Sequence, residues 1–168
     1  MPKLIDFHLY LNAAILWIHL FAAAFFVGGS FFFWLIVIPA SRLITTDESE
    51  RTLMVGKMAK AFGKTVTPTL VVLVLTGIYN AFWYVPTMSD LMRYPGTILL
   101  TKIILVIILI IFIYVHNLYF GRRITALARE RKIDELRRIR KTSRVISAAN
   151  LILMAVILLL AVLMQMPP

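Results

Sequence analysis

Charge is absent from four long stretches of the chain: between Asp6 and Arg42, from Val66 to Pro86, from Ile103 to Gly121, and from Val145 to Pro168. Each is near or above the ~20 residues that a helix needs to cross the hydrocarbon of a bilayer. Val, Ile and Phe abound in them and would favour strands in water. In lipid an uninterrupted apolar run satisfies its own backbone only as a helix. The pattern predicts helices over about 10–40, 65–85, 97–120 and 143–164. The first is longer than a bilayer requires, so it is expected to tilt, to bend near Gly28–Gly29 or to project outward. Pro68 is expected in the first turns of the second helix, where proline is tolerated. Glu48–Phe62 is amphipathic and fits either a helix on the inner surface or an extension of the second span. Arg122–Lys141, polar and rich in helix formers, reads as a helical hairpin that continues the third span and leads into the fourth.

Composition agrees. Of 168 residues, 61% are hydrophobic, and the mean hydropathy is +0.88; soluble domains run about 45–50% apolar. The first apolar run is too long for a signal peptide and shows no small-residue cleavage site. There is no cysteine, which excludes disulfides, thiolate metal sites and iron–sulfur clusters. The net charge of +10 is no nucleic-acid signal, because it is gathered beside the apolar runs. Ser41–Lys64 holds Arg42, Arg51, Lys57, Lys60 and Lys64, and Gly121–Arg144 holds ten basic residues, whereas the other side has only Lys3 and Arg93. The positive-inside rule makes both basic loops cytoplasmic. The expected fold is an all-α membrane protein: an antiparallel four-helix transmembrane bundle, N-out and C-out, forming one domain over 1–168. A cytoplasmic helical hairpin extends it between helices 3 and 4.

Two ionisable groups fall inside this apolar frame, His19 in the first helix and Lys102 in the third. Such a group costs at least ~2.5 kcal/mol on insertion scales and is a functional-site hypothesis by default. Counted at about 1.5 Å per residue from the basic ends, His19 stands roughly 34 Å up, Lys102 roughly 30 Å and Asn80 roughly 24 Å, with Thr76 a turn below Asn80. His116 stands only roughly 9 Å up. His19, Lys102, Thr101, Asn80 and Tyr79 are therefore expected in an outer layer, and His116, Asn117 and Asn150 in an inner one. The two histidines should not ligate one metal or one haem. Each also has a plainer reading: Lys102 snorkelling to outer headgroups, His19 bonded to a neighbouring helix, His116 structural.

Further candidates surround the outer layer. His8 precedes His19 by 11 positions, nearly the same helix face, and is a candidate entry-side ligand. Met88, Met92, Met164 and Met166 fall at the outer end, and thioethers suit Cu(I), although methionine is also an ordinary apolar filler. All eight acids lie outside the apolar runs, so no intramembrane carboxylate relay is expected. No hydrolase or transferase set is evident, and no catalytic residue is assigned.

Several elements carry a family resemblance. Trp17-Ile18-His19-Leu20-Phe21-Ala22-Ala23-Ala24 with Gly28-Gly29 and Pro39 resembles the first helix of the copper-resistance protein D (CopD) family. Phe62 and Leu75-Thr76-Gly77-Ile78 with Ala81 resemble its second helix, and Gly96 with Leu99-Leu100-Thr101-Lys102 its third. Asn117 and the Arg140–Ser143–Arg144 run are in keeping. The histidine and lysine pattern is also similar to HemJ-type protoporphyrinogen oxidases, which are haem b membrane proteins. The first resemblance implies copper handling at an outward-facing intramembrane site, with His19 as central ligand, His8, Met88, Met92 and Met164 as further metal ligands, and Lys102, Thr76 and Asn80 beside it. The second implies haem b or a porphyrin at the same site, its propionates paired with Lys102. An accessory subunit of a larger membrane complex is the reading from a third class. The expected location is the cell membrane, multi-pass. Candidate partners are the bilayer itself, anionic lipids at the basic loops, a second copy of the chain and a larger complex, but not nucleic acid.

Overall fold

A computed structural model describes residues 2–85 and 87–165, with backbone alone at 2–6, Tyr84 and Met88. It is all-helical, at 92%. The helices are α1 (Pro2–Phe32), α2 (Ile38–Ile44), α3 (Glu48–Tyr84), α4 (Gly96–Val115), α5 (Arg122–Arg129) and α6 (Ile133–Leu163). Four helical stretches are long and apolar enough to cross a membrane: Phe7–Ile44, Glu48–Trp83, Gly96–Arg129 and Ile133–Leu163.

Two of these stretches contain a widened π-helical turn. Phe33–Val37 joins α1 to α2, where the Ile38 N–H reaches Phe33 O, five residues back. Pro39 follows at once; it has no N–H and its ring crowds the carbonyl a turn earlier, so the ladder shifts register there. The irregularity therefore comes from Pro39. The expected bend at Gly28–Gly29 is replaced by regular helix, and Gly29 serves packing: a β-carbon there would lie 2.8 Å from Phe62 Cε2. A second π turn, His116–Gly121, joins α4 to α5.

The second span also differs from expectation. α3 runs unbroken from Glu48, so the amphipathic Glu48–Phe62 segment extends the span and Pro68 lies in the helix interior. Asp47 starts it: its Oδ1 accepts from the N–H groups of Ser49 at 2.8 Å and Glu50 at 3.1 Å, satisfying two of the donors that a helix start leaves orphaned. On either side of Pro68, Thr67 Oγ1 donates to Gly63 O and Thr69 Oγ1 to Thr65 O. Threonine hydroxyls reinforce the turns around a proline in this way.

The polar hairpin is present. α5 ends in a Schellman turn, with Lys132 N–H on Leu127 O at 3.1 Å, Arg131 N–H on Ala128 O at 3.3 Å, and Arg131 at φ 54°. Leu127, Ala128 and the fully buried Leu136 close it over Leu53 of α3. At the other end Gly96 is buried against Leu91, whose Cα would stand 2.7 Å from a β-carbon.

α1 packs on α3, α4 on α6, α5 on both α3 and α6, and α1 touches α6. Between the two ends lies a middle cluster of Phe26, Leu109, Leu151 and Met154. Outward-facing Phe21, Leu75, Ile78, Ile104, Ile107, Ile152 and Leu159 are all exposed. Apolar faces of this extent on every span belong in lipid.

Candidate functional site

His19 is held from α3. Its Nδ1 lies 2.8 Å from Thr76 Oγ1, and the same hydroxyl directs its proton to Val72 O at 2.6 Å. A hydroxyl has one proton to give. With that proton on Val72 O, Thr76 can accept from His19 Nδ1–H, the tautomer in which Nε2 is the unprotonated nitrogen. Gly77 provides the clearance, since a β-carbon there would sit 3.2 Å from His19 Cε1.

Lys102 is half-buried and within electrostatic range of His19. Among the described residues no acid pairs with it. Asn80 stands one turn beyond Thr76, on the same face of α3, and its Nδ2 is buried without an acceptor. Tyr79 turns elsewhere and donates to Asn12 Oδ1 at 2.7 Å. The surroundings of His19 thus offer cationic and N–H donors and no carboxylate.

The partner of His19 lies a turn lower on α3 than the counted layer. Heights on α3 were reckoned from Lys64, but the helix is continuous to Glu48, so Lys64 does not mark its inner end. His8 is exposed and meets Phe7 edge-on at 5.9 Å. Met92 is 77% exposed, and Met164 is buried with Val85 and Leu99. The Met88 side chain and Met166 lie outside the described residues. No group of three or more His, Cys, Asp or Glu that could hold a metal occurs among the described residues.

His116 has its own partners. Its Nε2 lies 2.8 Å from Ser143 Oγ and 3.1 Å from Ser147 Oγ, and the ring stacks on Phe120. Ser143, Ser147 and Asn150 follow one another at helical spacing on α6, and the Asn150 Oδ1 is buried and unpartnered. The Phe26–Leu109–Leu151–Met154 cluster separates this group from His19: Phe26 follows His19 by two turns on α1, and Leu109 precedes His116 by two turns on α4. The serines and Asn12 were missed in the sequence because lone hydroxyls and amides are frequent in helices. The 143, 147, 150 spacing was the signal that could have found the inner stripe.

Four apolar helices with polar groups sequestered inside define a multi-pass membrane protein. Residues 56–164 match the model of the family described as Copper resistance protein D, CopD. That is more than half of the chain, and the chain belongs to this family. The matched segment includes Thr76, Asn80, Lys102 and His116, while His8 and His19 precede it. No curated protein matches, and no solved structure matches.

Proposed function

We propose that this CopD-family protein handles copper as its cargo at an intramembrane site on the side opposite the basic loops, with His19 Nε2 as the ligand. Family membership supplies the metal. The observation that supports the residue is the Val72–Thr76–His19 chain, which favours the tautomer with Nε2 unprotonated, as a ligating histidine requires. Lys102 opposes a bare cation so close by. It and Asn80 instead suit an anion that travels with the metal. The N-out, C-out orientation of the proposal rests on the basic loops, and the antiparallel packing of α1 on α3 on the order of their contacts: 12 with 79, 19 with 76, 29 with 62.

A second reading is favoured by the same acid-free donor set. His19 would hold a haem b through its imidazole, with Lys102 and Asn80 near the propionates, and the group would supply one-electron chemistry when bound. One preparation separates the two. Purified protein that binds stoichiometric Cu(I) in competition with a chromophoric chelator, and loses it in His19→Ala, supports the copper reading. Copper binding unaffected by that substitution overturns it. A Soret band that disappears in His19→Ala would instead establish the haem reading.

A further inference from the structure

At the basic end of the bundle Arg137, Arg140 and Arg51 face one acid, Glu48, with Arg42 and Arg144 beside Arg140. Glu48 Oε2 accepts from Arg137 Nε at 2.9 Å, and Oε1 from Arg140 Nη1 at 3.0 Å, so both carboxylate oxygens are occupied. Arg42 from α2, Arg51 from α3 and Arg144 from α6 all lie within electrostatic range of Arg140. Arg51 also faces Glu48, yet its Nε is buried and has no acceptor. The nearby acids are engaged elsewhere: Asp47 caps α3, and Glu50 accepts from Thr45. A buried guanidinium N–H without a partner is unfavourable, and the Arg140 guanidinium beside Arg51 deepens the deficit of negative charge.

Charge that merely sets orientation need not be built this way. It can be dispersed over solvated loops, as exposed Lys57, Lys60 and Lys141 are; here Arg42 and Arg144 are exposed as well, but they flank Arg51 and Arg140, which are partly buried. The converging residues are all arginine, whose planar fork matches the oxygens of a phosphate two at a time. Their height is also fixed. Arg42 is the first charge after the uncharged first span, and Arg144 is the last before the uncharged fourth. Arg42 and Arg144 therefore border the uncharged runs of the first and fourth spans, the level at which headgroup phosphates are expected.

We propose that Arg42, Arg51, Arg140 and Arg144 form a binding site for one phosphate group at the membrane boundary, supplied by an anionic phospholipid or by a phosphorylated solute. The group would complete Arg51 Nε and offset the excess charge that Glu48 alone leaves. This site is independent of His19 and of copper.

The test uses the full chain purified in detergent. Phosphatidylglycerol, phosphatidylcholine or inorganic phosphate is added, and the melting temperature and the lipid retained in native mass spectrometry are recorded. The expected result is a rise of several degrees with phosphatidylglycerol but not phosphatidylcholine, and one retained lipid per chain. Both effects should fall at least tenfold in apparent affinity in Arg51→Gln/Arg144→Gln. They should persist in Arg122→Gln/Arg138→Gln, which removes the same charge from the same end outside the cluster. Arg42→Gln gives the same reading if the first double variant fails to fold. A shift with inorganic phosphate and none with phosphatidylglycerol would place the source in solution and keep the site. Equal loss in the two double variants, or no shift with either ligand, overturns the proposal.

Discussion

The ring of Phe62 in α3 occupies the place where Gly29 of α1 lacks a side chain. A β-carbon on Gly29 would stand 2.8 Å from Phe62 Cε2, and the same ring stacks at 5.7 Å on Phe33, the first residue of the π turn that follows α1. Gly29→Ala should therefore destabilise the bundle by about 1–3 kcal/mol, the usual cost of overpacking. Phe62→Leu should return part of that loss, since the two positions share one space and their effects are not additive. Melting curves of the two single variants and the double variant decide it. An additive double variant would mean that the contact is not what limits Gly29.

Thr76→Val keeps the shape of the side chain and removes the acceptor for His19 Nδ1–H. Losing the group that orients a metal-binding histidine typically weakens affinity ~10–100-fold. Cu(I) affinity should fall by that amount, while Thr76→Ser, which retains the hydroxyl, should stay near the parent. Chelator competition measures both. An unchanged affinity in Thr76→Val would detach Thr76 from the copper site.

Arg131 closes the α5 hairpin at φ 54°, a conformation that costs a side chain roughly 1–2 kcal/mol and glycine almost nothing. Its ion pair with Asp47, at 3.8 Å between exposed groups, offsets little of this. Arg131→Gly should raise the melting temperature, the stability gain being up to about 1 kcal/mol after glycine's extra unfolded-state entropy is counted. Arg131→Ala should bring no gain, because the strained backbone remains. A lower melting temperature for the glycine variant would contradict this account of the turn.

The Asp47 carboxylate accepts from the N–H groups of Glu50 and Ser49 and faces Arg131, and these hold its pKa below the ordinary 3.8. A carboxyl lowered on folding contributes stability above its unfolded pKa and loses it as pH falls through the folded value. The α3 start should therefore weaken only below about pH 4. Asp47→Asn, which can still cap, should flatten the acid limb of a stability–pH curve and leave neutral pH nearly unchanged. An identical acid limb in the variant would assign that limb to other carboxyls.

The four spans were legible because charge leaves long gaps, and in lipid such gaps have one backbone solution. The hairpin was legible from its helix formers between Arg122 and Lys141. The reach of α3 back to Glu48 was not, since an amphipathic segment fits a surface helix equally well until Asp47 is seen capping it. Thr76 was named beside His19, but the height count put Asn80 nearer its level, because heights counted from Lys64 begin at a point inside the helix. The shift at Pro39 was not legible: a bend at Gly28–Gly29 was one of three readings of the long first run, because glycine flexibility is visible in sequence and a ladder rearranged ahead of a proline is not. His19 and Lys102 drew attention through the cost of burying them. The hydroxyl that sets the imidazole tautomer is cheap to bury and gave no such signal.

The continuity of α3 has a mechanical consequence. Thr76 and Glu48 belong to one helix and stand about 42 Å apart along its axis at 1.5 Å per residue. A tilt of about 5° that pivots at the His19–Thr76 contact would sweep Glu48 through roughly 4 Å, more than the length of its hydrogen bonds to Arg137 and Arg140. Only Pro68, which leaves one rung of the ladder unbonded, interrupts the rod between them. α3 is therefore a single rod that carries both Thr76, which holds the imidazole, and Glu48, which Arg137 and Arg140 hold.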